Sequence, residues 1–191
     1  MARDRKDISK YISRVSRHND QRAFQEIFNV YFERLLSFSI SYVRHSASAE
    51  DILADVFTNL WVNRKQLKDI GNFDAYIFTC VKNQSLKFLE KKQRYFVKEI
   101  DEKNLEDYLI NNYTPEAEFE FEELKNKFNQ TIDELPNQCR LVFQLVKQQK
   151  MKYKDVAEIL SISTKTVDAH VVKAVKRLRK SFQNLRPDRS T

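Results

Sequence analysis

Tyr153-Lys-Asp-Val-Ala-Glu-Ile-Leu-Ser-Ile-Ser-Thr-Lys-Thr-Val-Asp-Ala-His170 holds two apolar rhythms of helical period, broken by a short serine-rich interval. The pattern predicts two helices joined by a tight turn, a helix-turn-helix within Lys152 to Lys180. Val156, Ala157 and Leu160 share one side of the first helix, and small Ala157 sits where a crossing helix must come close. Ser163 offers a hydroxyl to cap the second helix. Along that helix Val167, Val171, Ala174, Val175, Leu178 and Phe182 form one stripe. The opposite face, at about 100° per residue, carries Lys165, Ala169, Val172, Lys173, Lys176 and Lys180. It is a basic face interrupted near its start by two neutral or apolar side chains, Ala169 and Val172. Such a face suits a major groove, with thymine methyls and base edges met first and phosphates reached by the lysines beyond. The competing reading is a solvated lysine-rich helix packed on a neighbour.

Composition narrows what surrounds this element. One glycine and three prolines in 191 residues argue for helices with few tight turns, and 14 Phe with 8 Tyr supply ample apolar surface for one large or two small cores. The formal charge of +7 favours an anionic partner. The charge is also segregated: Glu99 to Glu123 has ten acids and one lysine, whereas Lys147 to Thr191 has twelve basic and four acidic residues. Different segments therefore face different partners, or the acidic one shields the basic one. Cys80 and Cys139 lie inside apolar patterns, as reduced core residues of a cytoplasmic protein would. The opening Met-Ala-Arg-Asp-Arg-Lys lacks the apolar core of a signal peptide, and the uncharged run Leu35 to Val43 is too short to span a bilayer. No membrane insertion is expected.

Taken in order, Ile8, Tyr11, Ile12 and Val15 mark a first amphipathic helix. Asp20 reads as the cap of a second, whose stripe runs Phe24, Ile27, Phe28, Tyr31, Leu35, Phe38 and Tyr42 and ends near Arg44. His18 and His45 flank it as surface residues. Ser46 and Ser48, followed by Glu50 and Asp51, signal the start of a third helix with Ile52, Leu53, Val56, Phe57 and Leu60 inside. Its outer face gathers Asp51, Asp55, Thr58 and Val62, with Trp61 at the border. That is either a protein-docking surface or a solvated face with the tryptophan tucked inward. Gly71 and Asn72 mark a stop and a new cap. A fourth helix, Phe73 to about Tyr95, is expected to bury Phe73, Ile77, Cys80, Val81 and Phe88. Tyr76, Asn83, Lys87 and Arg94 line one edge of it, and a ring, an amide and two cations in a row can stack on and bond to an unpaired base. The alternative is a structural tyrosine and asparagine beside an ordinary charged surface.

Beyond Lys98 the helical rhythm stops, and Asp101 to Glu118 reads as an acidic linker. Phe119, Phe121, Leu124, Phe128, Ile132 and Leu135 restore it up to Pro136, which suits the start of a helix facing inward with Cys139, Val142, Phe143 and Val146. The expected architecture is all-α: residues 1–97 as one domain, 98–118 as linker, and 119–191 as a four-helix domain ending in the helix-turn-helix. No metal-spaced ligand cluster, phosphate loop, cofactor motif or nucleophile with a base beside it is found, so no catalytic residue is expected and a non-enzyme is predicted.

Three stretches, Ala49-Glu-Asp-Ile-Leu-Ala-Asp-Val-Phe-Thr-Asn-Leu-Trp61, Asn72-Phe-Asp-Ala-Tyr-Ile-Phe-Thr-Cys-Val-Lys-Asn83 and Leu135-Pro-Asn-Gln-Cys-Arg-Leu-Val-Phe143, stand in order ahead of the helix-turn-helix. With them the chain, from about Asp20 to Leu185, resembles an extracytoplasmic-function sigma factor, the small two-domain class of bacterial RNA polymerase initiation subunits. The resemblance implies that the first stretch docks on core RNA polymerase, which assigns Asp51, Asp55, Thr58 and Trp61 a partner. It implies that the second belongs to the domain that captures the melted non-template strand of the minus-ten element, with Asn83 near a flipped-out base and Tyr76, Lys87 and Arg94 on its stripe. The rear domain would read the minus-thirty-five element of promoter DNA as duplex through Lys165, Thr166, Asp168, Ala169, His170, Val172, Lys173 and Lys176. Asp168 and Ala169 depart from the basic or hydroxylated residues of many members, so the preferred sequence is expected to differ. An anti-sigma protein is a further partner the resemblance brings in. Two other readings compete: a free-standing regulator with a LuxR-like helix-turn-helix, and a helical adaptor binding only protein.

Overall fold

The structure, a computed structural model, describes residues 5–98 and 127–183, with side chains over 7–93 and 127–182. The acidic stretch 99–118, the apolar positions Phe119, Phe121 and Leu124, and the side chain of Arg94 lie outside the described residues. The chain divides into two compact units, Met1–Asn104 and Leu105–Thr191, and the described residues are helical with no strand.

The front unit comprises α1 (Arg5–His18), α2 (Gln21–Val43), α3 (Ser46–Val62), a tight 3₁₀ turn (Arg64–Asp69) and α4 (Phe73–Lys98). Asp20 caps α2 as its type and place predict, accepting from the Ala23 amide at 3.1 Å. Arg14 of α1 donates to the same carboxylate at 2.9 Å. The Ala23 amide, and then Arg14, hold the Asp20 carboxyl below its ordinary range. A depressed folded pKa means the stabilisation is complete above the unfolded value of about 3.9 and is lost as pH falls through the folded one. Asp20→Ala should therefore lower the melting temperature most near neutral pH, with the gap to wild type closing in acid, as calorimetry across pH 2–7 would show.

The start of α3 differs from the expected serine cap. His45 sits at the cap with Nδ1 accepting from the Ser48 amide at 3.2 Å, while Ser46 Oγ turns to Glu50. A ring nitrogen accepts as a carboxylate does, and the residue expected to be merely superficial starts the helix. Gly71 has no positive φ; the left-handed conformations that end helices fall instead on Arg44 and Ser161, with Asn19 and Lys150 at further turns. The chain thus turns its corners with residues other than glycine.

The front core lies between α2, α3 and α4. Leu35, Phe38, Leu53, Ile77, Phe78 and Val81 are fully buried. Cys80 and Phe88, expected inside, are half-buried, and Phe78 with Ser85 take the inner line instead. Ser39 and Ser85 meet at 3.2 Å with both hydroxyls buried, so small side chains let α2 and α4 come close while each satisfies the other. Tyr31 donates to Asp74 Oδ1 at 2.7 Å, tying the middle of α2 to the first turn of α4.

The rear unit has α5, described over 127–133, then α6 (Asn137–Phe143) running into a π-type turn (Gln144–Gln148), α7 (Tyr153–Leu160) and α8 (Thr164–Gln183). Pro136 occupies the cap position just ahead of α6. Ile132, Leu135, Cys139 and Phe143 pack on Ala174 and Leu178 of α8. Arg140 is buried and donates to the Asp133 carbonyl and to Asn137 Oδ1, giving the end of α5 a cationic donor where carbonyls lack helical partners.

Candidate nucleic-acid and polymerase interfaces

In the rear unit Val156, Ala157, Ile159 and Leu160 of α7 are buried, and α7 packs against α8. The turn closes with Ser161 left-handed and the Ile162 amide returning to the Ala157 carbonyl at 3.0 Å. Ser163 Oγ then accepts from the Thr166 amide at 3.0 Å, which is the predicted cap. With Val167, Val171, Ala174 and Leu178 inside, the face of α8 carrying Lys165, Asp168, Ala169, Val172, Lys173 and Lys176 is exposed, and Val172 is bare to 58%. This large apolar side chain stands in water among lysines, covered by none of the described residues.

Two of the expected duplex contacts are partly committed to the fold. Thr166 is half-buried with its hydroxyl 2.8 Å from Ser163 Oγ. His170 is half-buried with Nδ1 3.1 Å from the buried Cys139 Sγ. The second contact joins residues 31 apart in sequence, which spacing along one helix could not reveal.

In the front unit α3 and α4 border a cleft of about 200 Å³ lined by Val56, Asn59, Leu60, Asn63, Tyr76, Cys80, Asn83, Gln84 and Lys87. Tyr76, Asn83 and Lys87, grouped from sequence as one edge of α4, thus open on a single concavity. Asn59 and Asn63 were not anticipated there, since the wheel of α4 alone says nothing about which residues at α3 face it, and Gln84 of α4 was not grouped with its edge. Burial, and secondarily the adjacent Cys80 thiol, pushes the Tyr76 phenol above its ordinary range, and burial does the same to Cys80. The lining is therefore uncharged at neutral pH apart from Lys87: a neutral, amide-rich hollow with one cation at its edge.

The outer face of α3 exposes Asp51, Asp55, Thr58 and Val62. Asp55 Oδ2 accepts from Gln84 Nε2 at 2.9 Å, so this face touches the cleft wall. Trp61 is half-buried between two neighbours: Phe24 meets it edge-on at 5.1 Å, and the Arg64 guanidinium lies over its ring at 4.7 Å. It is neither free on the surface nor tucked into the core.

A helical bundle with an amide-lined cleft, carried on the same chain as a basic helix-turn-helix unit, has the build of a DNA-binding protein. Residues 27–95 match the family profile "Sigma-70 region 2" and residues 125–178 match "Sigma-70, region 4". The two together span well over half of the chain, which belongs to the sigma-70 family of transcription-initiation factors, in its extracytoplasmic-function class. It is 24% identical over 184 residues to the ECF RNA polymerase sigma factor SigW of Bacillus subtilis, covering 93% of this chain and 98% of that one. It is 22% identical over 186 residues to the RNA polymerase sigma-H factor of Pseudomonas aeruginosa, covering 91% and 93%. In fold it resembles RpoE of Bartonella quintana, solved with the anti-sigma factor NepR, at TM-score 0.62 and 18% identity over 84% of this chain and 96% of that one. It also resembles CnrH, solved with the cytosolic domain of CnrY, at TM-score 0.59 and 18% identity over 93% and 98%. The match of the front unit to region 2 disfavours a free-standing LuxR-like regulator. No described helix is long and apolar enough to cross a membrane.

Proposed function

We propose that this chain joins core RNA polymerase through the outer face of α3 and directs initiation by reading promoter DNA in two forms. The cleft between α3 and α4 takes a base that has left the stack of the minus-ten non-template strand. Asn83 bonds its edge, Tyr76 offers a ring and Lys87 meets its phosphate. The exposed face of α8 reads the minus-thirty-five duplex, with Ala169 and Val172 toward base edges and Lys165, Lys173 and Lys176 toward phosphates. Asp168 there can accept from a cytosine amino group. By analogy with RpoE and NepR, an anti-sigma protein is a natural inhibitory partner.

The observation that carries this reading is that Tyr76, Asn83 and Lys87 share one open cleft beside the acidic face of α3. Because the base is bonded only after it unstacks, the interaction favours the opened strand over the closed duplex. Asn83→Ala should therefore lower open-complex formation roughly tenfold, one lost base contact, on promoter DNA bound by reconstituted polymerase, with core affinity nearly unchanged. Equal loss of both would make Asn83 a structural residue and end this assignment.

A further inference from the structure

Gln84 lines the cleft, and its Nε2 donates to Asp55 Oδ2 at 2.9 Å. A carboxylate has no proton to give, so the end of the amide that meets it must be the NH2 group. Asp55 thereby sets which way the Gln84 amide points and leaves Oε1, a pure acceptor, as the end available to a ligand in the cleft. The amides of Asn59 and Asn83 on the same walls can donate or accept, whereas Asn63 Nδ2 already donates to the Asn59 carbonyl at 2.9 Å and leaves its oxygen as a second acceptor. Two fixed acceptors beside adaptable amides bias the cleft toward a base with an amino group on its pairing edge, adenine, cytosine or guanine, over thymine, whose one N–H there is flanked by two carbonyl oxygens.

We infer that Asp55 is a positioning residue for base capture: through Gln84 it determines which bases the cleft accepts, and it links the outer face of α3 to the strand-binding edge of α4. The inference rests on the proposed base pocket and adds its selectivity. It gives one carboxylate two duties, since Oδ2 holds Gln84 while Oδ1 is left for a cation on the polymerase. Docking and base selection then meet at a single side chain.

The test uses holoenzyme assembled from core polymerase and each variant. It is bound to single-stranded oligonucleotides randomised across the minus-ten segment, and the retained fraction is sequenced. Wild type should favour a base with an amino group over thymine at one position, and Asn83→Ala should weaken that preference. Gln84→Ala and Asp55→Ala should each cut it about five- to tenfold, the share of one hydrogen bond between neutral groups. The double variant should lose no more than either single, because both act through one bond. Asp55→Asn separates the two duties: its amide oxygen can still accept from Gln84 while its charge is gone, so base preference should survive and core affinity should fall. A preference untouched by Asp55→Ala but weakened by Asn83→Ala overturns the inference and leaves the pocket standing. A preference for thymine at the Asn83-dependent position overturns it as well. A preference untouched by Asn83→Ala removes the pocket, and the inference with it.

Discussion

Phe78→Ala should cost the front unit about 3–5 kcal/mol, the usual range for deleting a fully buried aromatic ring. Phe78 has no exposed surface, meets Phe38 edge-on at 5.2 Å, and lies beneath the Arg34 guanidinium at 5.6 Å. Removing the ring leaves a void between α2 and α4 and takes away the aromatic face under a cation. Because α2 and α4 are already brought close by Ser39 and Ser85, the helices have little room to collapse into the gap. A loss of that size is a large fraction of the roughly 5–15 kcal/mol that holds a typical domain together. Denaturant melts read at the front unit's single tryptophan, Trp61, would show the midpoint fall. Leu86→Ala, on the same helix but 41% exposed, should leave it nearly unmoved. Comparable losses from the two would contradict the placement of the core.

Replacing Lys165, Lys173 and Lys176 together with alanine should weaken binding to the minus-thirty-five duplex by more than about tenfold and flatten its dependence on salt. Each lysine that neutralises a phosphate releases about 0.9 of a counterion, so three should take between two and three units from the slope of log affinity against log salt. All three side chains are exposed on α8, away from the stripe that packs on α6 and α7, so the substitution removes charge without opening the core. Titrations of a duplex oligonucleotide at several salt concentrations measure both quantities. A lowered affinity with an unaltered slope would mean that these lysines act elsewhere than on phosphate.

Much of this molecule is written in apolar spacing. The stripe Val167, Val171, Ala174 and Leu178 and the hydroxyl of Ser163 were enough to orient α8, because one helix packed on one core turns its other face outward. The inner line of α4 was harder to read. Ser85 interrupts it with a polar residue, and its partner Ser39 is 46 positions away, so Phe78 loses the apolar neighbour that would mark its row. Capping by His45 was hidden for a related reason, since a ring nitrogen is a rarer acceptor than the two serines beside it. At the candidate sites, residues sharing one helix edge could be grouped, as Tyr76, Asn83 and Lys87 were. Contacts between helices could not: Gln84 with Asp55, Trp61 with Phe24, and His170 with Cys139 each depend on tertiary packing.

The division between an unpaired strand and an intact duplex can be measured directly by placing a photo-crosslinking side chain at Lys87 in one holoenzyme and at Lys173 in another, then mapping the adducts on promoter DNA. The account predicts that position 87 marks only the non-template strand within the melted minus-ten segment, and only after opening. Position 173 should mark double-stranded DNA at the minus-thirty-five element before and after opening alike. Adducts from position 87 on closed duplex, or from both positions on the same segment, would contradict it.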